Sequence, residues 1–478
     1  MSASRPRLVV IQPWWDLWAH TTPAGFREGR MAMARGIADD LADLADVVAV
    51  VEAGGLEEAA RTGGSLAARA AEDGPIDVVL VLQMMAAPVG HTLAILDRLP
   101  GVPVVLWAAH ETGLVGGAFD HASITTQGAT VGAPMLGNML IRGRRPFDLV
   151  LGRLGDAETL ARVRDAIRVG GAASAVRRAR LGRIGRPIPG YLHVDAPDAD
   201  IHAATGITLV AVDPDEVVDA WRGVQPARVA DLESEVRAGW AFEGDPTEGA
   251  SLERSLRAAL ALEDVVDAHA LDGGAFNCHV SQFRFGDEIG IAPCWGLGRL
   301  TTQGRPFTCT GDILTAVAML VTKRLGGAAL YHEIEAIDYA TGEVVIANSG
   351  EHDLAWLAPG ATPRLRRNGW FCGTDPRCGV CAVLEPPPGP ATLVGFTPHP
   401  DARGGFRLVA ARGELTDRTF PATGTANGAF RFRDATVEAA WARWAMTGVN
   451  HHSSATPGDL AGPVVALAAQ LGIEGVVV

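Results

Sequence analysis

The sequence predicts an α/β protein with two doubly wound parallel-sheet domains followed by a mainly β C-terminal domain. Three observations predict it. Over residues 1–150, short β-branched runs alternate with Ala/Leu/Arg stretches of helical character. The alternation resumes after an Arg/Gly/Pro-rich break at Arg177 to Pro189. Beyond Gly326-Gly327, strand-like runs and prolines take over. At 478 residues the chain exceeds a single hydrophobic core. The expected domains are residues 1–178, 179–326 and 327–478.

In the first domain, Leu8 to Gln12, Val47 to Val51, Val78 to Leu82, Val102 to Trp107 and Leu149 to Leu151 read as strands, with helices such as Gly29 to Leu44 and Leu66 to Glu72 between them. Ligands of such sheets sit at the carboxyl ends of the strands. Two polar segments occupy those places: Pro13 to Trp18 after the first strand and Ala109 to Gly113 after the fourth. Neither is a GxGxxG loop, so no nicotinamide cofactor is expected. Trp14 and Trp18 could wall a sugar ring or pack against a neighbouring subunit, and His110, His121 and Gln127 are candidate polar contacts to substrate. The cationic stretch Arg177 to Arg186, broken by Gly182 and Gly185, reads as a solvated connector.

The second domain has a strand at Ile207 to Val212 and helices at Asp215 to Trp221, Val229 to Trp240 and Leu252 to Asp267. The third has strands at Ala328 to Tyr331, Val344 to Ala347, Ala391 to Phe396 and Phe406 to Ala411. Asp338 and Glu343 fall in a hairpin turn and read as solvated.

A net charge of −14 with no basic stripe speaks against a nucleic-acid partner. With no apolar run near membrane-spanning length and no signal-peptide cleavage site, a cytoplasmic protein off the membrane is expected. The cysteines are scattered, which suits reduced thiols; Cys378 and Cys381 form a CxxC near Cys372, but a second pair for a structural zinc is missing. The only lysine is Lys323, inside an apolar helical stretch, so Walker-type and Schiff-base chemistry are nearly excluded.

Carboxylates and histidines gather in the second half: Asp312, Glu333, Glu335, Glu351, His352, Asp353, His451 and His452. Carboxylate oxygens and imidazole nitrogens are the donors that divalent ions take. Several short motifs run through the same region: Gly296 to Leu300 (GLGRL), Thr308 to Asp312 (TCTGD), Tyr331-His332-Glu333, Gly448 to Ser453 (GVNHHS) and Gly472 to Val476. In order and spacing the set resembles the L-arabinose isomerase and L-fucose isomerase family. Thr125 to Ala129, ahead of Pro146 to Gly152, is similar to that family's substrate segment.

The resemblance implies an aldose–ketose isomerase working through an enediol on a divalent ion, commonly Mn(II), with Fe(II) or Zn(II) also compatible with the donors. It implies a homo-oligomer, a trimer or hexamer, whose sites form between subunits, and a small sugar or polyol as substrate. Carried over by position, Glu333, His352 and His452 are the metal ligands, with Asn348 or Asp353 as alternatives to His352. His451 would contact substrate. Glu333, Asp312 and Thr310 occupy the catalytic positions.

Thr310 departs from the family, which has a glutamate there. A threonine hydroxyl is a poor base and a poor ligand, and losing a general base costs roughly 10²–10⁴-fold in rate. Asp312, Glu351 and Cys309 are the nearby substitutes, although Asp312 also fits a helix cap for Ile313 to Leu325. Two alternatives follow: a diverged metal-assisted reaction of lyase, hydrolase or oxygenase type, and a metal-free sugar-binding protein.

Overall fold

The structure, a computed structural model, describes residues 5–245, 251–280, 282–368, 378–421, 423 and 426–478. Two compact units form, one from residues up to 175 with 469–471, the other from 176–468 and 472–478.

In the first unit, β1 (Arg7–Pro13), β2 (Asp46–Ala53), β3 (Val78–Gln83), β4 (Val104–His110) and β5 (Phe147–Arg153) make a parallel sheet of order β2-β1-β3-β4-β5. Successive residues of a strand point to opposite faces, and here they feed two separate cores. Val9, Ile11, Val79, Val81 and Leu106 pack on one side. Leu8, Val10, Leu80, Leu82 and Trp107 pack on the other. That division is why these strands read as unbroken apolar runs.

The second unit holds β6 (Arg180–Ile184), β7 (Thr208–Val212), β9 (Gly273–Phe276) and β10 (Phe307–Thr308) in a parallel sheet of order β10-β9-β6-β7, and a small sheet that includes β8 (Ala241–Glu243). β6 corrects the expectation of a solvated connector. Leu181 and Ile184 are wholly buried, Arg183 is neutralised by Asp195 at 2.7 Å and Asp198 at 2.6 Å, and a Cβ on Gly274 would sit 2.3 Å from the Gly182 carbonyl. The glycines mark close approach of two backbones.

The remaining strands are β11 (Leu330–Asp338), β12 (Glu343–Ala347), β13 (Arg364–Arg367), β14 (Val380–Val383), β15 (Gly389–Pro398), β16 (Phe406–Leu415), β17 (Ala426–Phe432), β18 (His452–Pro457) and β19 (Glu474–Val477). β13 and β14 join β8. The others run β15-β18-β11-β12-β17-β16-β19, and β16 pairs back onto β15, closing six antiparallel strands into a barrel. This is the mainly β part the sequence predicts. Glu343 is not solvated: it is 2% exposed, and its two oxygens each meet an arginine, Arg418 and Arg431, at 2.6 Å. Such burial is tolerable only with that pairing.

Helix Ile313–Gly326 is buried on every side from Ile313 to Thr322, which fits a helix apolar all round. Thr322 Oγ1 lies 2.7 Å from Ser454 Oγ on β18, tying this helix to the barrel.

The GLGRL motif is explained by packing. Gly298 lies in helix Cys294–Thr302, and a Cβ there would stand 2.7 Å from the His352 carbonyl oxygen and 2.9 Å from its nitrogen. Both obstacles are backbone. Gly298→Ala is therefore expected to cost about 1–3 kcal/mol in denaturant unfolding; an unchanged midpoint would show that the helix can shift away.

Five described cysteines are buried and belong to no disulfide, and Cys372 lies outside the described residues. Among the described residues no helix is long and apolar enough to cross a membrane.

Candidate functional site

β11 and β18 are antiparallel neighbours, and their register sets Glu333 opposite His452. Directly opposed residues share a face of the sheet, and His452 Nε2 lies 3.0 Å from Glu333 Oε1. On its other side, His452 Nδ1 is 2.7 Å from Asp312 Oδ2. Asp312 caps helix Ile313–Gly326, accepting from the Thr315 amide and hydroxyl at 2.8 Å each. The cap reading thus holds, and the same carboxylate orients the histidine. Asn450 completes the hold, its side-chain oxygen accepting from the His452 amide at 2.6 Å.

The His451 ring lies against that of His452, tilted by 33° with centroids 3.7 Å apart, and the Tyr331 ring lies 4.6 Å from His452 on the other strand. Among the described residues, Glu333, His451 and His452 form the group whose ligand atoms fall within 4.8 Å of one another.

Burial would lower the His452 pKa, but hydrogen bonds to Asp312 and Glu333, and their charges, push it up to about 9. Burial opposes ionisation of Glu333, yet the histidines around it hold its carboxyl below the usual range. Burial, with the charge on His452, takes His451 down to about 4. Because the folded value of His452 lies above its ordinary 6.5, the stability it contributes is fully present below pH 6.5 and is lost as pH rises through about 9. Metal-free protein should therefore melt at progressively lower temperature between pH 6.5 and 9, and His452→Gln should flatten that slope. The same slope in the variant would assign it to other groups.

The candidate substitutes for the missing glutamate are all closed off from solvent. Asp312 and Glu351 are 0% exposed, and Cys309 is 7% exposed with its thiol pushed well up, mainly by burial. Glu351 is surrounded by the thiols of Cys309 and Cys294, and burial raises its pKa. Thr310 donates its hydroxyl to the Cys309 carbonyl at 2.8 Å and has φ +57°. A β-branched residue in that region is strained.

His352 does not join the cluster. Its Nδ1 faces the Asn427 amide at 3.2 Å, and the residue lines a cavity of ≈ 100 Å³ with Trp240 and Trp295. Burial lowers it to about 3. Asn348 Oδ1 accepts from the Gly350 amide, and Asp353 pairs with Lys323. Neither belongs to the Glu333 group.

Trp14, Trp18, His110, His121 and Gln127 lie in the first unit. Trp14 is 1% exposed, with Arg27 above its ring. Trp18 donates from its indole to the Ala86 carbonyl at 2.6 Å. His110 ends β4, half-buried, and burial lowers its pKa. His121 begins helix His121–Thr126, and Gln127 accepts from the Thr112 hydroxyl at 2.9 Å. The sequence reading missed Asn450, although it adjoins the HH pair, and His193, whose Nε2 lies 3.1 Å from His451 Nδ1.

No family model matches the chain. It is 25% identical over 355 residues to the sulfoquinovose isomerase of Priestia megaterium, covering 73% of this chain and 74% of that protein. The sulfoquinovose isomerase of Alkalicoccus urumqiensis is 25% identical over 358 residues, 72% of this chain and 73% of the relative. The L-arabinose isomerase of Mycolicibacterium smegmatis is 22% identical over 321 residues, 65% of this chain and 62% of the relative. At 22–25% identity the chain is thus similar to sugar isomerases of the kind its motifs resemble. The barrel supplies the Glu333–His452 pair, and the capped helix Ile313–Gly326 holds that pair in place.

Proposed function

We propose that the chain is an aldose–ketose isomerase that depends on a divalent metal and interconverts a small polyhydroxylated aldose and its ketose through an enediolate. Glu333, His451 and His452 would hold the ion, with Asp312 fixing His452 from behind. The observation that carries this reading is the opposition of Glu333 and His452 across two barrel strands, with a buried carboxylate on the far imidazole nitrogen. Metal-binding histidines commonly have such a partner. Two imidazoles and one carboxylate fit Mn(II), Fe(II) or Zn(II) and leave positions open for substrate. His451 takes the place assigned to His352 on motif position.

A bound divalent cation supplies charge that acidifies a carbon-bound proton between two vicinal oxygens. The protein's own groups then have to carry that proton. Glu333 is 36% exposed, so its carboxylate reaches the open side of the cluster. Glu335 has its pKa raised by burial and by the charge of Glu333, which suits it to hold a proton. In this reading Trp18, His110, His121 and Gln127 contact substrate, whereas Trp14, at 1% exposure, packs in the core; the protein works in the cytoplasm as a trimer or hexamer, as the family resemblance implies.

The test is metal content together with aldose–ketose conversion, on sulfoquinovose, L-arabinose and neutral hexoses, in the purified protein and in His452→Ala. Metal and conversion present in the first and lost in the second is the expected result. Metal content unaffected by His452→Ala would end the assignment. Thr310 favours a second reading, a diverged metal-assisted reaction. Conversion that appears only in Thr310→Glu would support it.

A further inference from the structure

His193 belongs to none of the motifs, yet it touches the cluster. It sits in the turn Leu192–Val194, on the loop between β6 and helix Asp198–Thr205, 258 residues from His451 in sequence. The two imidazole centroids are 4.9 Å apart, and the Tyr191 ring lies 5.2 Å from His193 and 6.0 Å from His451. The loop is pinned at several points. Asn277 donates to the Arg186 carbonyl, Arg183 holds Asp195 and Asp198, and a Cβ on Gly311, beside Thr310, would meet the Pro187 backbone at 2.9 Å. The same loop walls a cleft of ≈ 960 Å³ at the carboxyl ends of β6 and β7, where open parallel sheets take their ligands.

An imidazole can bind a metal only through a bare nitrogen, and the partner of its other nitrogen decides which one is bare. Asp312 makes that choice for His452 by taking the Nδ1 side. Among the described residues no carboxylate does so for His451; its Nδ1 faces His193 Nε2. We propose that His193 is a positioning residue for His451: by accepting the Nδ1–H it selects the tautomer whose bare Nε2 serves the metal cluster. The proposal rests on the metal reading and deepens it, because it ties the cluster to the loop that walls the cleft.

The experiment is titration of the full-length, metal-free protein with Mn²⁺, followed by electron paramagnetic resonance, with ¹⁵N–¹H long-range spectra reporting the His451 tautomer. His193→Ala is expected to weaken Mn²⁺ binding about 10–100-fold and to shift His451 from the Nδ1–H to the Nε2–H form. His193→Gln, whose carbonyl can reach the position of the lost Nε2, should restore both. The thermal midpoint should not move, since His193 is exposed. Wild-type affinity and tautomer in His193→Ala would overturn the proposal, as would equal weakening in the Ala and Gln variants. If the unsubstituted protein takes up no Mn²⁺, the metal reading itself fails and this proposal with it.

Discussion

Glu333→Gln is expected to lower aldose–ketose turnover by roughly 10²–10⁴-fold, the range for loss of a proton-transferring group, and to reduce metal loading as well. Glutamine keeps the shape and can still meet His452 Nε2, but it brings neither negative charge nor basicity. The side chain is 36% exposed, so little folding stability should be lost; circular dichroism and the melting temperature check this. The variant also releases one of the two carboxylates that raise His452, so the fall in melting temperature between pH 6.5 and 9 should become shallower. Turnover near the unsubstituted rate would show that Glu333 neither holds the ion nor moves the proton.

Strands in the first unit were legible because both faces of the sheet are buried, and two cores written into one strand give an unbroken apolar run. β6 was hidden by its arginines. Arg180 is exposed and Arg183 is cancelled by one aspartate of the following loop and one at the start of the next helix, so the charge that suggests solvent belongs to an ion-pair network. Glu343 misled in the same way, since its two arginines are 75 and 88 residues away.

The candidate site was legible where a motif fixes local geometry: Asp312 before an apolar run, and the HH pair beginning a strand. It was not legible where three consecutive residues part company. Glu351 turns to the thiols of Cys309 and Cys294, His352 to Asn427 and the cavity of Trp240 and Trp295, and Asp353 to Lys323. Sequence spacing ranks such neighbours equally; only the packing of helix Cys294–Thr302 against this backbone separates them. His193 meets His451 across 258 residues, with no local pattern to announce it.

The sole lysine leads to the largest expected change in stability. Lys323 Nζ donates to Asp353 Oδ2 at 2.7 Å, with side-chain exposures of 7% and 0%. Asp353 also accepts from the Ala329 and Ala355 amides, at 2.8 and 3.0 Å, so its carboxylate fixes the path from helix Ile313–Gly326 into β11 and the loop before β13. Burial already raises the Asp353 pKa, and Lys323 opposes the rise. Lys323→Met keeps the apolar stem but strands that carboxylate, and breaking a buried pair from one side costs about 3–5 kcal/mol. The deficit should depend on pH with a definite sign. Without the lysine, folded Asp353 keeps its proton to higher pH than the unfolded chain does, so the variant loses stability as pH rises through the folded value. Guanidinium unfolding should therefore show a smaller deficit at pH 5 than at pH 8. Adding Asp353→Asn, which retains the acceptor for the two amides and carries no charge, should recover most of the loss. A Lys323→Met variant within about 1 kcal/mol of the parent at both pH values would mean that the carboxylate finds water or another donor, and that the ion pair contributes little to holding the helix against the barrel.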